Sequence, residues 1–256
     1  MKRGTSEGTQ EEVYYTKEIN KNRSDFLKYL KINPEGNFAV RVLKNKYGKI
    51  NDQKIKPKSD IIICNGNLSD KELKSLNYYI DESMILNLKL NPVKKSGISI
   101  KLRDSKSYTI TKMSHVTFNK VFKNPYIGCG SSIYCKNIRE IHKNDSVLKG
   151  WGVNKNEFLN YFSDFFKCNS LSWENLTTLK ELKAFCNEKI KSIIKEDKII
   201  FDFVFKGVGN FDDPFSCEYL IENNCIHKID DFNFDFYVTT GSGRSKGINT
   251  IIIKPI

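Results

Sequence analysis

Runs of apolar residues at helical spacing, each preceded by a capping side chain, predict five helices. In three of them a Ser or Thr lies three residues before a glutamate, the spacing of a capping box, in which each side chain bonds the other's backbone N–H. The predicted helices start at Thr9, Ser24, Ser69, Asn154 and Thr178. The second should end before Pro34, because proline disfavours helical geometry in the residue before it.

Shorter apolar runs, rich in β-branched and aromatic residues, predict strands. They cover residues 38–43, 61–63, 97–101, 199–205, 232–240 and 248–253. The stretch 124–132 contains one proline and two glycines, and it predicts a loop. Together these elements predict an α/β (α+β) fold with a central mixed β-sheet flanked by helices, in a single domain spanning residues 1–256 with a β-rich C-terminal part.

Two of the predicted strands carry side chains that could act together. Asp60 lies at the head of the apolar strand 61–63. In the strand 97–101, alternation puts Ser99 and Lys101 on one face and the two isoleucines on the other. If the two strands are neighbours in one sheet, a carboxylate, a hydroxyl and an amine converge. That arrangement would suit a divalent metal beside a lysine.

These residues resemble the motif of the PD-(D/E)XK nuclease superfamily. The resemblance rests on Asp60 with its Lys-Pro-Lys-Ser lead-in and on Ser99-x-Lys101, the variant in which serine replaces the second acid, as in some type II restriction endonucleases. It covers roughly residues 11–120. It implies a restriction-endonuclease-like catalytic core at about residues 9–125 and a helical and β-rich part for DNA recognition and dimerisation at about residues 126–256.

The resemblance also implies an activity and a role for each residue of the motif. The enzyme would be an Mg²⁺-dependent type II restriction endonuclease, a homodimer that hydrolyses phosphodiester bonds of double-stranded DNA at a specific short sequence. Asp60 and the Ile100 carbonyl would bind the metal, Ser99 would hold a metal-bound water, and Lys101 would orient or deprotonate the attacking water.

Serine at position 99 leaves the predicted metal site short of one acid, because a hydroxyl binds Mg²⁺ less well than a carboxylate does. In the resembling nucleases an acid from an early helix often completes the site. This makes Glu12 a candidate catalytic residue, and Glu18 and Asp104 stay open as alternatives.

The chain is strongly basic, with 42 Lys and Arg against 30 Asp and Glu and a formal net charge of +12. An excess of this size favours a polyanionic partner, first of all nucleic acid, because neutralised phosphates release counterions. Two alternatives stay open. Ser99 favours a non-catalytic nucleic-acid-binding protein that retains the nuclease fold. A composition rich in Lys, Asn and Ile also suits a scaffold protein from an AT-rich genome.

Two polar stretches are candidate DNA contacts. The first follows Lys101 and offers cationic and hydroxyl donors to phosphate oxygens, from Arg103, Ser107 and Tyr108. The second is a glycine-rich hairpin loop that carries Arg244 and Lys246. Its glycines would let the backbone come close to nucleic acid, and arginine can pair with guanine in the major groove.

Membrane association is not expected, because no run approaches the roughly 18 apolar residues that span a bilayer. The first residues are polar and form no apolar leader, so we expect a cytoplasmic location. The seven cysteines are odd in number and include no CxxC pair, which predicts reduced thiols.

Overall fold

The computed structural model describes residues 3–42, 58–101, 108–166, 174–208, 215–231, 233, 235–241 and 250–256. The chain divides into two compact units. The first comprises Met1–Lys106 and Phe205–Asn233, and the second comprises Ser107–Val204 and Phe234–Ile256. None of the helices in the described part of the chain is long and apolar enough to cross a membrane.

The first unit is built on a mixed sheet. Its helices are α1 (Arg3–Lys21), α2 (Arg23–Tyr29), α3 (Asp70–Ser75) and α4 (Glu82–Asn87). Its strands are β1 (Asn37–Arg41), β2 (Ile61–Asn65), β3 (Asn91–Pro92), β4 (Ile98–Ile100), β6 (Tyr219–Glu222) and β7 (Cys225–Lys228). The strand order is β1-β2-β4-β6-β7, with β3 paired to β2. Only β4 and β6 pair in parallel among these described strands.

Helices cover both faces of this sheet, which confirms the predicted α/β fold with a central mixed sheet flanked by helices. On one face Ile61 and Ile98 pack with Tyr15 and Ile19 of α1. On the other face Ile62 packs with residues of α3 and α4. Successive residues of a strand point to opposite faces. These core residues therefore show on which face of the sheet each neighbouring side chain lies.

The second unit contains a smaller sheet packed with helices. Its helices are α5 (His115–Phe122), α6 (Pro125–Ser132), α7 (Asn144–Trp151), α8 (Lys155–Tyr161), α9 (Ser163–Phe166), α10 (Leu176–Glu196) and α11 (Lys198–Phe201), and a 3₁₀ helix covers Ile138–Lys143. Its strands are β5 (Thr111–Met113), β8 (Phe236–Gly241) and β9 (Thr250–Pro255), in the order β5-β9-β8. The antiparallel pair β8 and β9 confirms the predicted C-terminal hairpin strands.

All five predicted helix starts can be compared with the structure. Asn154 is confirmed as the N-cap of α8. The predicted starts at Ser24 and Thr178 are wrong, because α2 begins at Arg23 after Asn22 and α10 begins at Leu176 after the capping side chain of Asn175. The capping box at Ser69 is confirmed, since the Ser69 side chain accepts from the Glu72 N–H and the Glu72 side chain accepts from the Ser69 N–H. The predicted start at Thr9 is wrong, because α1 already begins at Arg3. Thr9 and Glu12 therefore lie inside a helix and do not form its cap.

Two other predictions are wrong. The predicted loop at 124–132 is instead the N-cap Asn124 followed by α6. The Asn124 side chain accepts from the Ile127 N–H, and Pro125 occupies the first turn, where its missing N–H is harmless. The apolar run 199–205 is not a strand. It forms α11 and a π-helical turn, Asp202–Lys206, after the Asp197 side chain caps two backbone N–H groups.

Candidate active site

Asp60 is held in the sheet by both of its neighbouring strands. Its backbone N–H donates to the Ile98 carbonyl at 2.8 Å, and its carbonyl accepts from the Val42 N–H at 2.9 Å. The side chain lies on the same face as that of Ile62, two residues later, and is only 5% exposed. Asp60 is thus a rigidly placed, buried acid at one end of β2.

Ser99 and Lys101 lie on the same face as Asp60, as the alternating pattern predicts. Ile98 and Ile100 pack into the core beneath α1, so the two residues that alternate with them point the other way. The backbone of Lys101 is fixed as well, since its N–H donates to the Ile221 carbonyl of β6 at 2.9 Å.

A chain of hydrogen bonds joins the three side chains. Lys101 Nζ donates to Ser99 Oγ at 2.9 Å, and Ser99 Oγ donates to Asp60 Oδ2 at 3.1 Å. The Ile100 N–H donates to the same carboxylate oxygen at 2.8 Å. Two donors and a nearby ammonium group therefore compensate the buried Asp60 carboxylate, which would be costly to bury alone.

The oxygen atoms at this site are the kind that a hard divalent cation prefers. Asp60 offers a carboxylate, Ser99 a hydroxyl, and Ile100 a carbonyl. Since the N–H and C=O of a residue in a strand point to the same side, and the Ile100 N–H points to Asp60, its carbonyl lies on that side too. These residues fit a Mg²⁺ ion that keeps several water ligands.

Among the described residues, none of the acids predicted to complete the site joins this group. Helix α1, which carries Glu12 and Glu18, packs through Tyr15 and Ile19 on the sheet face opposite to the Asp60 side chain. Asp104 lies outside the described residues. Within the described ranges, no three or more His, Cys, Asp or Glu side chains form a metal-binding cluster.

The structure describes one of the five predicted DNA-contacting residues. Arg103, Ser107, Arg244 and Lys246 lie outside the described residues, while Tyr108 lies in the second unit. Their role stays a prediction.

A buried ion cluster lies beside the start of β4. Lys206 Nζ lies 3.1 Å from Glu218 Oε2 and 2.7 Å from Asp230 Oδ2, and the Lys206 side chain is 7% exposed. The Glu218 N–H also donates to the Gly97 carbonyl at 2.8 Å. One member of the cluster is therefore bonded through its backbone to the residue before β4, the strand that carries Ser99. Lys206 is 12 residues from Glu218 and 24 residues from Asp230 in the sequence, so no short local motif marks the cluster.

Glu222, at the end of β6, also lies near the site although no sequence motif includes it. It follows Ile221, whose carbonyl accepts from the Lys101 N–H, and so it lies beside Lys101 in the sheet. Only the pairing of β4 with β6 makes them neighbours.

Similarity to known proteins is found in the fold and not in the sequence. No protein-family model matches the sequence, and no curated protein matches it. Among solved structures, the fold is similar to that of the restriction endonuclease MspI in complex with its cognate DNA. The similarity covers 91% of this chain and 77% of that chain, with 13% sequence identity and a TM-score of 0.39.

Proposed function

We propose that this protein is an Mg²⁺-dependent endonuclease that hydrolyses phosphodiester bonds in duplex DNA at a specific short sequence, as a type II restriction enzyme does. The observation that carries the proposal is the hydrogen-bonded series of Lys101, Ser99 and Asp60 on one face of a mixed sheet. It combines a buried acid, which attracts a cation, with an ammonium group that can face a phosphate.

In this proposal Asp60 and the Ile100 carbonyl hold the metal ion. A bound Mg²⁺ supplies Lewis acidity toward the phosphate and lowers the pKa of a coordinated water. Lys101 holds the attacking water by a hydrogen bond and offsets the negative charge that develops on the phosphate. Ser99 fixes the carboxylate and the ammonium group relative to each other through its hydroxyl.

Lys101 suits this role because the side chain to which it donates, Ser99, is neutral. Its ammonium group donates to a hydroxyl, and this bond leaves the positive charge uncompensated by residue 99. A half-buried ammonium group at this position can donate to a phosphate oxygen or a water. An acid at position 99 would instead form an ion pair with it.

The rest of the proposal concerns DNA and assembly. Cleavage of both strands of a palindromic sequence requires two sites related by a twofold axis, so we propose a homodimer. We propose that Arg103, Ser107, Tyr108, Arg244 and Lys246 contact the DNA. Binding should then weaken steeply with salt, by a slope of about −0.9 in log K per phosphate contacted. A scaffold protein whose basicity only reflects composition would show no such slope.

The test is digestion of a long plasmid of mixed sequence by the purified protein, with and without Mg²⁺. Asp60→Asn and Lys101→Met are compared with Asp25→Asn and Lys94→Met, which make the same charge changes at exposed positions of the first unit. Discrete fragments that require Mg²⁺, persist in the two controls and vanish in the two site variants would support the proposal. Salt-sensitive DNA binding without any cleavage would instead indicate a non-catalytic binding protein.

A further inference from the structure

We infer that Glu222 is the second acid of the site and binds the hydrated divalent cation together with Asp60. This inference rests on the proposed function and deepens it. It provides the carboxylate that serine at position 99 does not supply.

The pairing of β4 with β6 sets the position of Glu222. These strands are parallel, with Ser99 next to Leu220 and Ile100 next to Ile221. The bond from the Lys101 N–H to the Ile221 carbonyl continues the ladder by one residue. Glu222 therefore lies beside Lys101, at a strand spacing of roughly 4.8 Å.

The alternation of core residues sets the face to which Glu222 points. Tyr219 and Ile221 pack in the core beneath α1. Glu222, one residue after Ile221, therefore points to the opposite face, which is the face of Asp60 and Lys101. The acids of α1 belong to a helix that packs on the other face.

The backbone that carries Glu222 is well anchored. Glu222 pairs with Cys225 across a tight turn, in which Asn223 and Asn224 have φ angles of 50° and 64°. Such a two-residue turn matches the twist of a hairpin. The side chain of Asn224 also accepts a hydrogen bond of 2.8 Å from the Tyr15 hydroxyl. A ligand on such a rigid support is held at a defined place.

The carboxylate itself is available for a ligand. Glu222 is half-buried, and in the described part of the chain no hydrogen bond or ion pair engages its side chain. By contrast Glu218, the residue before β6, is bound to Lys206. Glu222 thus has no structural partner that a cation would have to displace.

The separation of the two acids indicates how they share the cation. Asp60 and Glu222 lie on strands separated by β4, so their backbones are about 10 Å apart across the sheet, or more. Direct binding of one ion by both carboxylates would demand full extension of both side chains. Mg²⁺ keeps several of its waters in proteins. Glu222 therefore binds the ion through a water of its hydration shell, while Asp60 binds it directly.

The experiment measures Mn²⁺ binding to the full chain without DNA, by electron paramagnetic resonance, with Mn²⁺ standing in for Mg²⁺. Wild type is compared with Asp60→Asn, Glu222→Gln and the matched control Glu35→Gln. Glu35 precedes β1 at the end of the sheet opposite to Asp60. Glu222→Gln should weaken Mn²⁺ binding by about 10-fold or more, as loss of groups around metal ligands does. Glu35→Gln should bind as wild type does.

Salt separates a local contact from a long-range charge effect. In 1 M NaCl the electrostatic screening length is about 3 Å. If Glu222→Gln still binds Mn²⁺ more weakly than wild type at this salt concentration, the inference is supported. If the difference in Mn²⁺ affinity disappears, the inference is overturned. Wild-type Mn²⁺ affinity in Glu222→Gln would also overturn it, and the proposed function would stand if Asp60→Asn still lost binding and cleavage. A wild-type chain that binds no Mn²⁺ would overturn both.

Discussion

Lys101 donates a hydrogen bond of 2.9 Å to the hydroxyl of Ser99, two residues earlier on the same face of β4. The same hydroxyl donates to the Asp60 carboxylate at 3.1 Å. Ser99 is therefore a neutral link between a cation and an anion. Its hydroxyl fixes the position of each charged group.

Replacement of this link by Ser99→Ala should slow DNA cleavage by about 10- to 100-fold, because hydrogen bonds to charged groups contribute about 1.5–3 kcal/mol. Single-turnover kinetics with saturating enzyme would measure the rate. Ser75→Ala, at an exposed position of α3, is the control and should cleave as wild type does. A wild-type rate in Ser99→Ala would show that the link has no part in catalysis.

The buried ion cluster should be essential for stability. In Lys206→Met the carboxylates of Glu218 and Asp230 lose their shared cation, and removal of one member of a buried ion pair costs about 3–5 kcal/mol. Urea unfolding followed by circular dichroism would measure the free energy of unfolding. The double variant Lys206→Met/Glu218→Gln should recover part of the loss. If Lys206→Met unfolds at the wild-type urea concentration, the cluster does not stabilise the fold.

Helix α6 should not tolerate a side chain at Gly128. An added Cβ would clash with Cζ3 of Trp151 and would lie 2.8 Å from Cε1 of Phe118. Both rings are buried, so Gly128→Ala should lower the free energy of unfolding by about 1–3 kcal/mol or more. Thermal unfolding would measure it.

The matched comparison is Gly152→Ala, which adds the same methyl group where no atom lies within 4 Å. The φ angle of Gly152 is +68°, so this variant should lose only the backbone term, about 1 kcal/mol. Equal losses in the two variants would contradict the packing described for α6.

Thiol reactivity should follow burial. Burial raises the pKa of the Cys64 thiol to about 12 and also raises the pKa values of Cys129 and Cys186. The thiolate is the reactive form, so these buried thiols should react slowly at pH 8. Of the six cysteines in the described residues, Cys225 is the exposed one and should react before the other five with iodoacetamide, which peptide mass spectrometry would show. Early labelling of Cys64 would contradict its place in the core.

The sequence predicts the elements of the site because the interactions that form these elements join residues close together in the chain. The alternation around Ser99 and the apolar run after Asp60 depend on neighbouring residues alone. The Ser69 capping box is likewise complete within four residues. Such features can be recognised without knowledge of the fold.

Other features depend on contacts between distant residues. In the sequence the glycines of α6 predict a loop. In the fold Gly128 and Gly130 lie within a helix and leave room for the side chains of Trp151 and Cys186. Glu222 comes beside Lys101 only through the parallel pairing of β4 with β6. The apolar run 199–205 fits a strand and a helix equally well by periodicity, and its cap at Asp197 decides for the helix.

The most direct test of the central claim is the single-turnover rate at which Asp60→Asn cleaves a duplex fragment that carries the cleavage site found in the plasmid digestion. In the proposed function this carboxylate binds the cation, and it accepts a hydrogen bond from Ser99. Its loss should therefore slow cleavage by at least about 100-fold, with DNA affinity retained. Asp25→Asn should cleave at the wild-type rate. If Asp60→Asn cleaves as fast as wild type, Asp60 and the residues bonded to it are not the catalytic site.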